Sequence, residues 1–552
     1  NPKDKEKELK KLQKQLKTLE QQRDEIISNK IYEHAFEWRF EFPALLDNDG
    51  NFTGFDIVIG NPPYLKEGRI SKLFFEPYKS SSYYMGKMDI WYMFACYGID
   101  LLQKNGIISF IATNNWTTSF GAGILRDKVI KETRISNIID FGSLMVFDSA
   151  SIQTMIMLFQ KDNKTDDYSF DYRKLLTHSA TEKDAVALLN KSTANAEIYT
   201  PIVHRSSYFN QSFTFSKDIV ILPKIEEVEN KFFLNAHEIA QGIVFPQDML
   251  NKKNAQILNR NVGQGVFVLS DSEKESLNLL KNEDSIIKPY YTTEQVGRYW
   301  VNPNHYLWAI YTDSQYKNPH SLDNMPNIKK HLDQFSSIMT SDNKPYGLHR
   351  AREQRFFTNE KVIAIRKSVG TPSFAYCDFD CYLSQTFNMI QTDKVNLKYL
   401  TGLLNSKLIY YWLKCKGKMQ GEHFQLDKEP LMQIPIAVSS QETQNLIANL
   451  VDVIRLLKQA HSQLDSHVSN DYLAKEFEKM INGCVYEIYF EDEIKKYYGK
   501  SIATCIRNYI PATFTPQNVY KIYSDIESTG IIEIIDSLAF SNSEILRTIS
   551  LS

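Results

Sequence analysis

Residues 55–60 of this chain read Phe-Asp-Ile-Val-Ile-Gly and are followed at once by Asn61-Pro62-Pro63-Tyr64. A short apolar run rich in β-branched residues is a buried-strand pattern, and two prolines cannot continue a strand's hydrogen-bond ladder. The strand has to stop there. The residues after it form a stiff loop, because each proline fixes its own φ and pushes the preceding residue toward extended geometry. Beyond the loop the pattern alternates. Asp89–Leu102 has helical apolar spacing, Asn105-Gly106 reads as a stop, and Ile107–Thr113 reads as a strand. A helix near Ile124–Lys131 leads to strands over Asn137–Phe141 and Gln153–Gln160. Such alternation predicts an α/β fold with a largely parallel sheet covered on both faces. It puts the Asn61–Tyr64 loop at the carboxyl edge of that sheet, where open α/β folds bind ligands.

A chain of 552 residues exceeds what one hydrophobic core supports, so changes of texture are read as domain boundaries. Residues 1–30 read as a long polar spacer helix, with Leu9, Leu12, Leu16, Leu19 and Ile26 at heptad spacing and Arg23 interrupting it. Residues 31–215 hold the alternating pattern. Residues 216–440, rich in Tyr, Phe, Asn and Lys, read as a separate α+β domain. Residues 441–552 return to helical patterning, with Leu446, Ile447, Leu450, Val451, Ile454 and Leu457 on one face. No apolar run reaches bilayer length, so no membrane partner is expected. Of six cysteines only Cys377 and Cys381 are close, and no second Cys or His pair completes a metal site. The expectation is a reduced cytoplasmic protein without a metal. A net charge of −2 requires any nucleic-acid surface to be a local basic face.

The chemistry that Asn-Pro-Pro-Tyr suits is specific. An amine on a planar ring is a poor nucleophile, because its lone pair is delocalised. Two fixed acceptors aimed at its two hydrogens favour the change toward tetrahedral nitrogen as it develops. The Asn61 side-chain oxygen and the Pro62 carbonyl supply such a pair, Pro63 stiffens it, and Tyr64 offers a ring on which an extruded base can stack.

With those residues stated, a resemblance follows. The runs KIYEHAFEWRFEFPALLDNDGNFTGFDIVIGNPPY (Lys30–Tyr64), GKMDIWYMFACYGIDLLQKNGIISFIATNNW (Gly86–Trp116) and IIDFGSLMVFDSASIQTMIMLFQK (Ile138–Lys161) resemble the catalytic half of gamma-class adenine-N6 DNA methyltransferases, in particular type IIG restriction–modification polypeptides. The resemblance implies a partial Rossmann-like methyltransferase sheet, S-adenosyl-L-methionine (AdoMet) as methyl donor, and Asn61, Pro62, Pro63 and Tyr64 as the catalytic loop. It implies that Phe94 contacts the adenine of AdoMet beside Asn61, and that Phe147 packs against the target base opposite Tyr64. The Gly-rich AdoMet motif of that family is not found ahead of Asn61. Phe120-Gly121-Ala122-Gly123 follows the wrong strand and is not taken for it. The expectations are that the AdoMet site is incomplete in this chain, that this motif and any nuclease lie upstream, and that the polypeptide alone methylates weakly or not at all. An uncovered edge at Phe55–Gly60, or the N-terminal helix, is then a place for self-association.

Residues 216–440 resemble the target-recognition domain of the same enzymes, through Ile286–Trp300, Gly347–Ser368 and Leu403–Ile436. Double-stranded DNA is the implied partner. The most DNA-like cluster is His349, Arg350, Arg352, Arg355, Lys361, Arg366 and Lys367 with Phe356 and Phe357 interleaved; Lys414, Lys416 and Lys418 form a second. Two other readings stay open. One is an RNA or protein-glutamine methyltransferase using the same loop; the other is a DNA-binding specificity module without activity of its own.

Overall fold

The computed structural model describes residues 12–13, 16–20, 23–24, 36–68, 72–147, 152–176, 180–192, 195–209, 212–213, 215, 220–420, 423–460, 462–464, 468–511 and 513–552. Leu9, Ile26 and most of the polar N-terminal segment lie outside them. Leu12, Leu16 and Leu19 are helical and exposed. The chain divides into two compact units, Asn1–Phe213 and Thr214–Ser552.

The first unit is built on β1 (Phe55–Gly60), α1 (Ile90–Asp100), β2 (Leu102–Thr113), α2 (Gly123–Glu132), β3 (Thr133–Asp140), β4 (Thr154–Lys161), β5 (Asp171–Leu175), α3 (Glu182–Leu189) and β6 (Ala196–Tyr199). Its six strands lie in the order β1-β2-β4-β3-β5-β6. The largely parallel sheet expected from the sequence is instead mixed. β1 with β2 and β3 with β5 are parallel, whereas β4 runs antiparallel to both β2 and β3, and β6 antiparallel to β5. The reason lies in the connections. A helix joins β2 to β3, whereas the described residues between β3 and β4, 141–147 and 152–153, include no helix, and a chain that turns back without a crossover helix pairs antiparallel.

Asn105-Gly106, read as a stop ahead of the strand, lies inside β2. Asn105 takes φ 66° and the register jumps from Phe55↔Leu102 to Ile57↔Ile107, so the extra residues form a bulge. α1 packs tightly on one face of the sheet at Gly98, where a Cβ would stand 2.7 Å from Ile108 Cδ1 and 3.4 Å from Val58 Cγ1. The other face is closed over β3 and β5 by Ile139, Phe141, Leu175 and the α3 residue Leu188. That cover does not extend to β1. β1 lies at the sheet edge, where an uncovered strand was expected, and its Ile57 and Ile59, on the face opposite α1, are 64% and 78% exposed, against the burial its apolar run suggested.

The second unit contains small sheets and a large helical layer. One sheet orders Ile239–Gln241, Phe387–Ile390, Lys361–Ile365 and Phe374–Cys377, all antiparallel. A second orders Val268–Ser270, Leu307–Ile310, Ile287–Tyr291 and Tyr382–Leu383. The helices Leu397–Asn405, Gln441–Gln459 and Asn470–Tyr489 pack together, and their Leu400, Leu403, Leu450, Ile454, Phe477 and Ile481 share one core with Val362 and Phe374 of the first sheet. Residues 441–552 are therefore built onto the 220–437 region through common apolar burial. Among the described residues no helix is long and apolar enough to cross a membrane.

Candidate active site and nucleic-acid interface

The loop after β1 is fixed at both ends. Its exit is tied to the start of α1: Leu65 N–H donates to Asp89 Oδ1 at 2.9 Å, Ile90 N–H donates to the Leu65 carbonyl at 3.0 Å, and Glu67 N–H donates to the Met88 carbonyl at 2.7 Å. Asp89 is only 1% exposed, and its Oδ2 has no hydrogen-bond partner among the described residues. Burial pushes the Asp89 carboxyl above the usual range, against the pull of the Leu65 N–H and the Lys66 charge.

Pro62 is buried while Asn61 and Pro63 are exposed. The Tyr64 hydroxyl lies 2.6 Å from Asn61 Oδ1 and 2.7 Å from the Ile111 carbonyl of β2, and its single hydrogen can be donated to either. Burial, and then the charge of Asp89, pushes the Tyr64 phenol up to about 12. The Pro62 carbonyl accepts no hydrogen bond from the described residues. Two oxygens thus lie on the rim beyond the strand, one unused and one with a lone pair to spare.

Phe147 comes to the same rim from the loop after β3. Its ring centroid lies 6.4 Å from that of Tyr64 at an interplanar angle of 53°. That loop is set by Asp140, whose Oδ1 accepts from Gly142 N–H at 2.9 Å and Asn114 Nδ2 at 3.2 Å. Gly142 takes φ 58°, and a Cβ there would meet the Leu175 carbonyl at 2.4 Å, so only glycine fits the turn. Phe94 projects from α1 and is 48% exposed, on a helix whose neighbours Trp91, Ala95 and Ile99 are buried. An apolar ring held in solvent suits stacking on the purine of a cofactor. The Phe120–Gly123 segment has a packing explanation: a Cβ on Gly121 would stand 2.3 Å from the Lys87 carbonyl. Among the described residues no His/Cys/Asp/Glu cluster could hold a metal.

In the second unit the basic residues singled out from the sequence separate. Arg355 pairs with Glu353 at 2.8 Å and also donates to the His237 carbonyl at 2.6 Å. Lys416 pairs with Glu226 at 3.1 Å. Lys361 is fully buried, donating to the Asn359 and Phe379 carbonyls, each at 2.8 Å. His349 is half-buried, with Thr340 Oγ1 3.3 Å from its Nε2. Lys367 is exposed, and Lys418 begins the short strand Lys418–Gln420. Arg350 and Arg352 remain. Sequence reasoning passed over Asp89, although an Asp one residue before a helix is a recognisable N-terminal signal. It also passed over Gln241 and Lys428, which lie far from the cluster in sequence.

A rim of acceptors and aromatic rings on a mixed α/β sheet is followed in the chain by a second unit carrying basic loops, an arrangement that suits a ligand-binding domain followed by a recognition module. The comparisons give that class its particulars. Residues 2–147 match the family described as Eco57I restriction-modification methylase, and residues 288–436 match the TaqI-like C-terminal specificity domain. The type II methyltransferase M.HincII of Haemophilus influenzae is 22% identical over 421 residues, 74% of this chain and 78% of that protein. A putative type II restriction enzyme and methyltransferase of Methanocaldococcus jannaschii is 22% identical over 534 residues, 91% of this chain but 37% of that protein. Among solved structures, the type IIL restriction–modification enzyme MmeI in complex with DNA aligns at a TM-score of 0.51 and 12% identity. That alignment covers 86% of this chain and 57% of that one, and shows a shared fold. The chain thus joins a restriction–modification methylase region to a TaqI-like specificity domain, the composition of a type II restriction–modification methyltransferase.

Proposed function

We propose that this chain provides the base-binding half of a site-specific DNA methyltransferase that transfers the methyl group of AdoMet to the exocyclic amine of an adenine flipped out of the duplex. The observation that carries the reading is the pairing of two acceptors with two rings on one rim: Asn61 Oδ1 and the free Pro62 carbonyl beside Tyr64 and Phe147. An adenine between the rings would be held by stacking. Its amino hydrogens would meet the two oxygens, and positive charge developing on nitrogen would be stabilised by dipoles already in place. When bound, AdoMet supplies the electrophilic methyl. Phe94 fits the purine end of that cofactor, with Asn61 near its reacting end. The second unit would bind double-stranded DNA.

Radiolabelled methyl transfer by the longest native form of the enzyme tests this. Label is expected on adenine N6 in duplex DNA and not on RNA or protein glutamine. Label on cytosine or on a glutamine side chain would replace the adenine reading, and no transfer to any duplex would remove it.

A further inference from the structure

Arg355, Arg366 and Lys416 are committed to carboxylates, but among the described residues neither Arg350 nor Arg352 forms an ion pair. Arg352 takes φ 73°, a backbone region that L side chains rarely adopt and that tends to persist at functional positions. Its side chain is clamped: Nε donates to the Gly242 carbonyl at 3.3 Å and Nη2 to Gln241 Oε1 at 3.1 Å. The Gln241 amide donates onward to the Gln385 carbonyl at 3.0 Å, which also accepts from Arg366 Nη1 at 2.7 Å. Gly242 allows this seam to close, since a Cβ there would be 2.1 Å from the Ser384 carbonyl. Arg350 is exposed, and its backbone pairs with Val244 at the same seam.

The charges do not balance. Among the described residues, the carboxylates recorded against Arg350, Arg352, Arg366 and Lys428 are Asp427, on Arg366 at 2.7 Å, and Glu353, on Arg355 at 2.8 Å. Burial, and then the Arg350 and Arg366 charges, hold the Arg352 guanidinium below its usual range; burial, and then Arg352, do the same to Lys428. A crowded cationic group held by neutral carbonyls and an amide is relieved by an anion.

We propose that Arg350 and Arg352 clamp one backbone phosphate of the DNA duplex, with Arg366 and Gln241 as positioning residues. The proposal rests on the DNA reading above. A phosphate is favoured over a guanine edge because an anion relieves the excess positive charge here and a neutral base edge does not. Arg352 spends Nε and one Nη2 hydrogen within the protein, which fixes the direction of its remaining Nη1 and Nη2 donors.

The test is duplex binding by this chain across a salt series, for the wild type, Arg350→Gln, Arg352→Gln and, as a charge control in the same unit, Lys458→Gln. Each arginine variant is expected to bind about tenfold more weakly at moderate salt, equally on unrelated sequences. Each should also lower the slope of log affinity against log salt by about one, with the control unchanged. Arg350 is exposed and its side chain makes no bond to the described residues, so its variant keeps the test informative if Arg352→Gln fails to fold. Wild-type-like affinity and slope for Arg350→Gln would overturn the clamp while leaving the DNA reading standing. Loss confined to duplexes of one sequence would overturn it in favour of base reading. A wild-type chain that binds no duplex would remove both.

Discussion

The Tyr64 hydroxyl donates to Asn61 Oδ1 across 2.6 Å, so the residue that offers a stacking ring also holds the acceptor. The two functions can be separated by substitution. Tyr64→Phe keeps the ring and removes the hydroxyl that orients Asn61, and a hydrogen bond of this kind is worth about 1 kcal/mol. A roughly five- to tenfold fall in single-turnover methyl transfer is expected with KM for DNA unchanged. Tyr64→Ala removes both functions and should raise KM as well. Asn61→Ala removes an acceptor itself, and a loss of about 10²–10³ in rate is expected with duplex binding nearly intact. Equal kinetics for Tyr64 and its Phe variant would show that the hydroxyl does no positioning.

Asp89 ties the loop to α1 as a buried acid, and this sets a pH dependence. Its folded-state pKa is raised by burial, so between the ordinary carboxylate value of about 3.9 and that raised value the folded chain binds more protons than the unfolded one. Stability contributed by this group is therefore greatest at the acid end of the window and falls as pH rises through it. Asp89→Asn keeps an oxygen for the Leu65 N–H and has no proton to lose. Its Tm relative to wild type is expected to rise as pH goes from about 4 toward neutrality. A Tm difference that stays flat over that range would rule out a strained buried carboxylate.

Legibility differed between the two ends of this site. The Asn61–Tyr64 loop could be read because the chemistry proposed for it is local: four consecutive residues supply the acceptors, the stiffness and one ring. Phe147 followed only through a family resemblance, since nothing in its own neighbourhood reports that a turn built on Asp140 and Gly142 brings it to Tyr64. Strand direction was misjudged at β4, because apolar periodicity reports a strand and says nothing of which way it runs. The basic cluster was visible as composition, yet its members parted in three dimensions. Arg355 and Lys416 found Glu353 and Glu226, and only tertiary structure could show that Arg352 had no such partner.

The uncovered face of β1 makes a prediction about association. Ile57 and Ile59 are apolar, exposed and on an edge strand, a combination that templates pairing with another chain. Ile57→Lys with Ile59→Lys is expected to reduce concentration-dependent association of this chain in sedimentation velocity while changing Tm by only about 1–2 °C, since little burial is lost. Unchanged sedimentation would mean that β1 is not the adhesive surface.

Arg298 marks the opposite use of an arginine from Arg352. Its Nη1 donates to the Pro372 carbonyl at 2.8 Å and its Nε to Glu478 Oε1 at 3.2 Å, with Nη2 also on Glu478 and on the Asn405 carbonyl. It ties the turn before Tyr299 to the long helix Asn470–Tyr489 and to the end of Leu397–Asn405. Removing it leaves a half-buried Glu478 and two carbonyls without their donor. Arg298→Ala is expected to destabilise the second unit by about 2–3 kcal/mol, read by denaturant unfolding. The salt slope of duplex binding should stay at the wild-type value, because a guanidinium spent on internal acceptors releases no counterions from DNA. A reduced slope with intact stability would transfer Arg298 from the framework to the DNA surface.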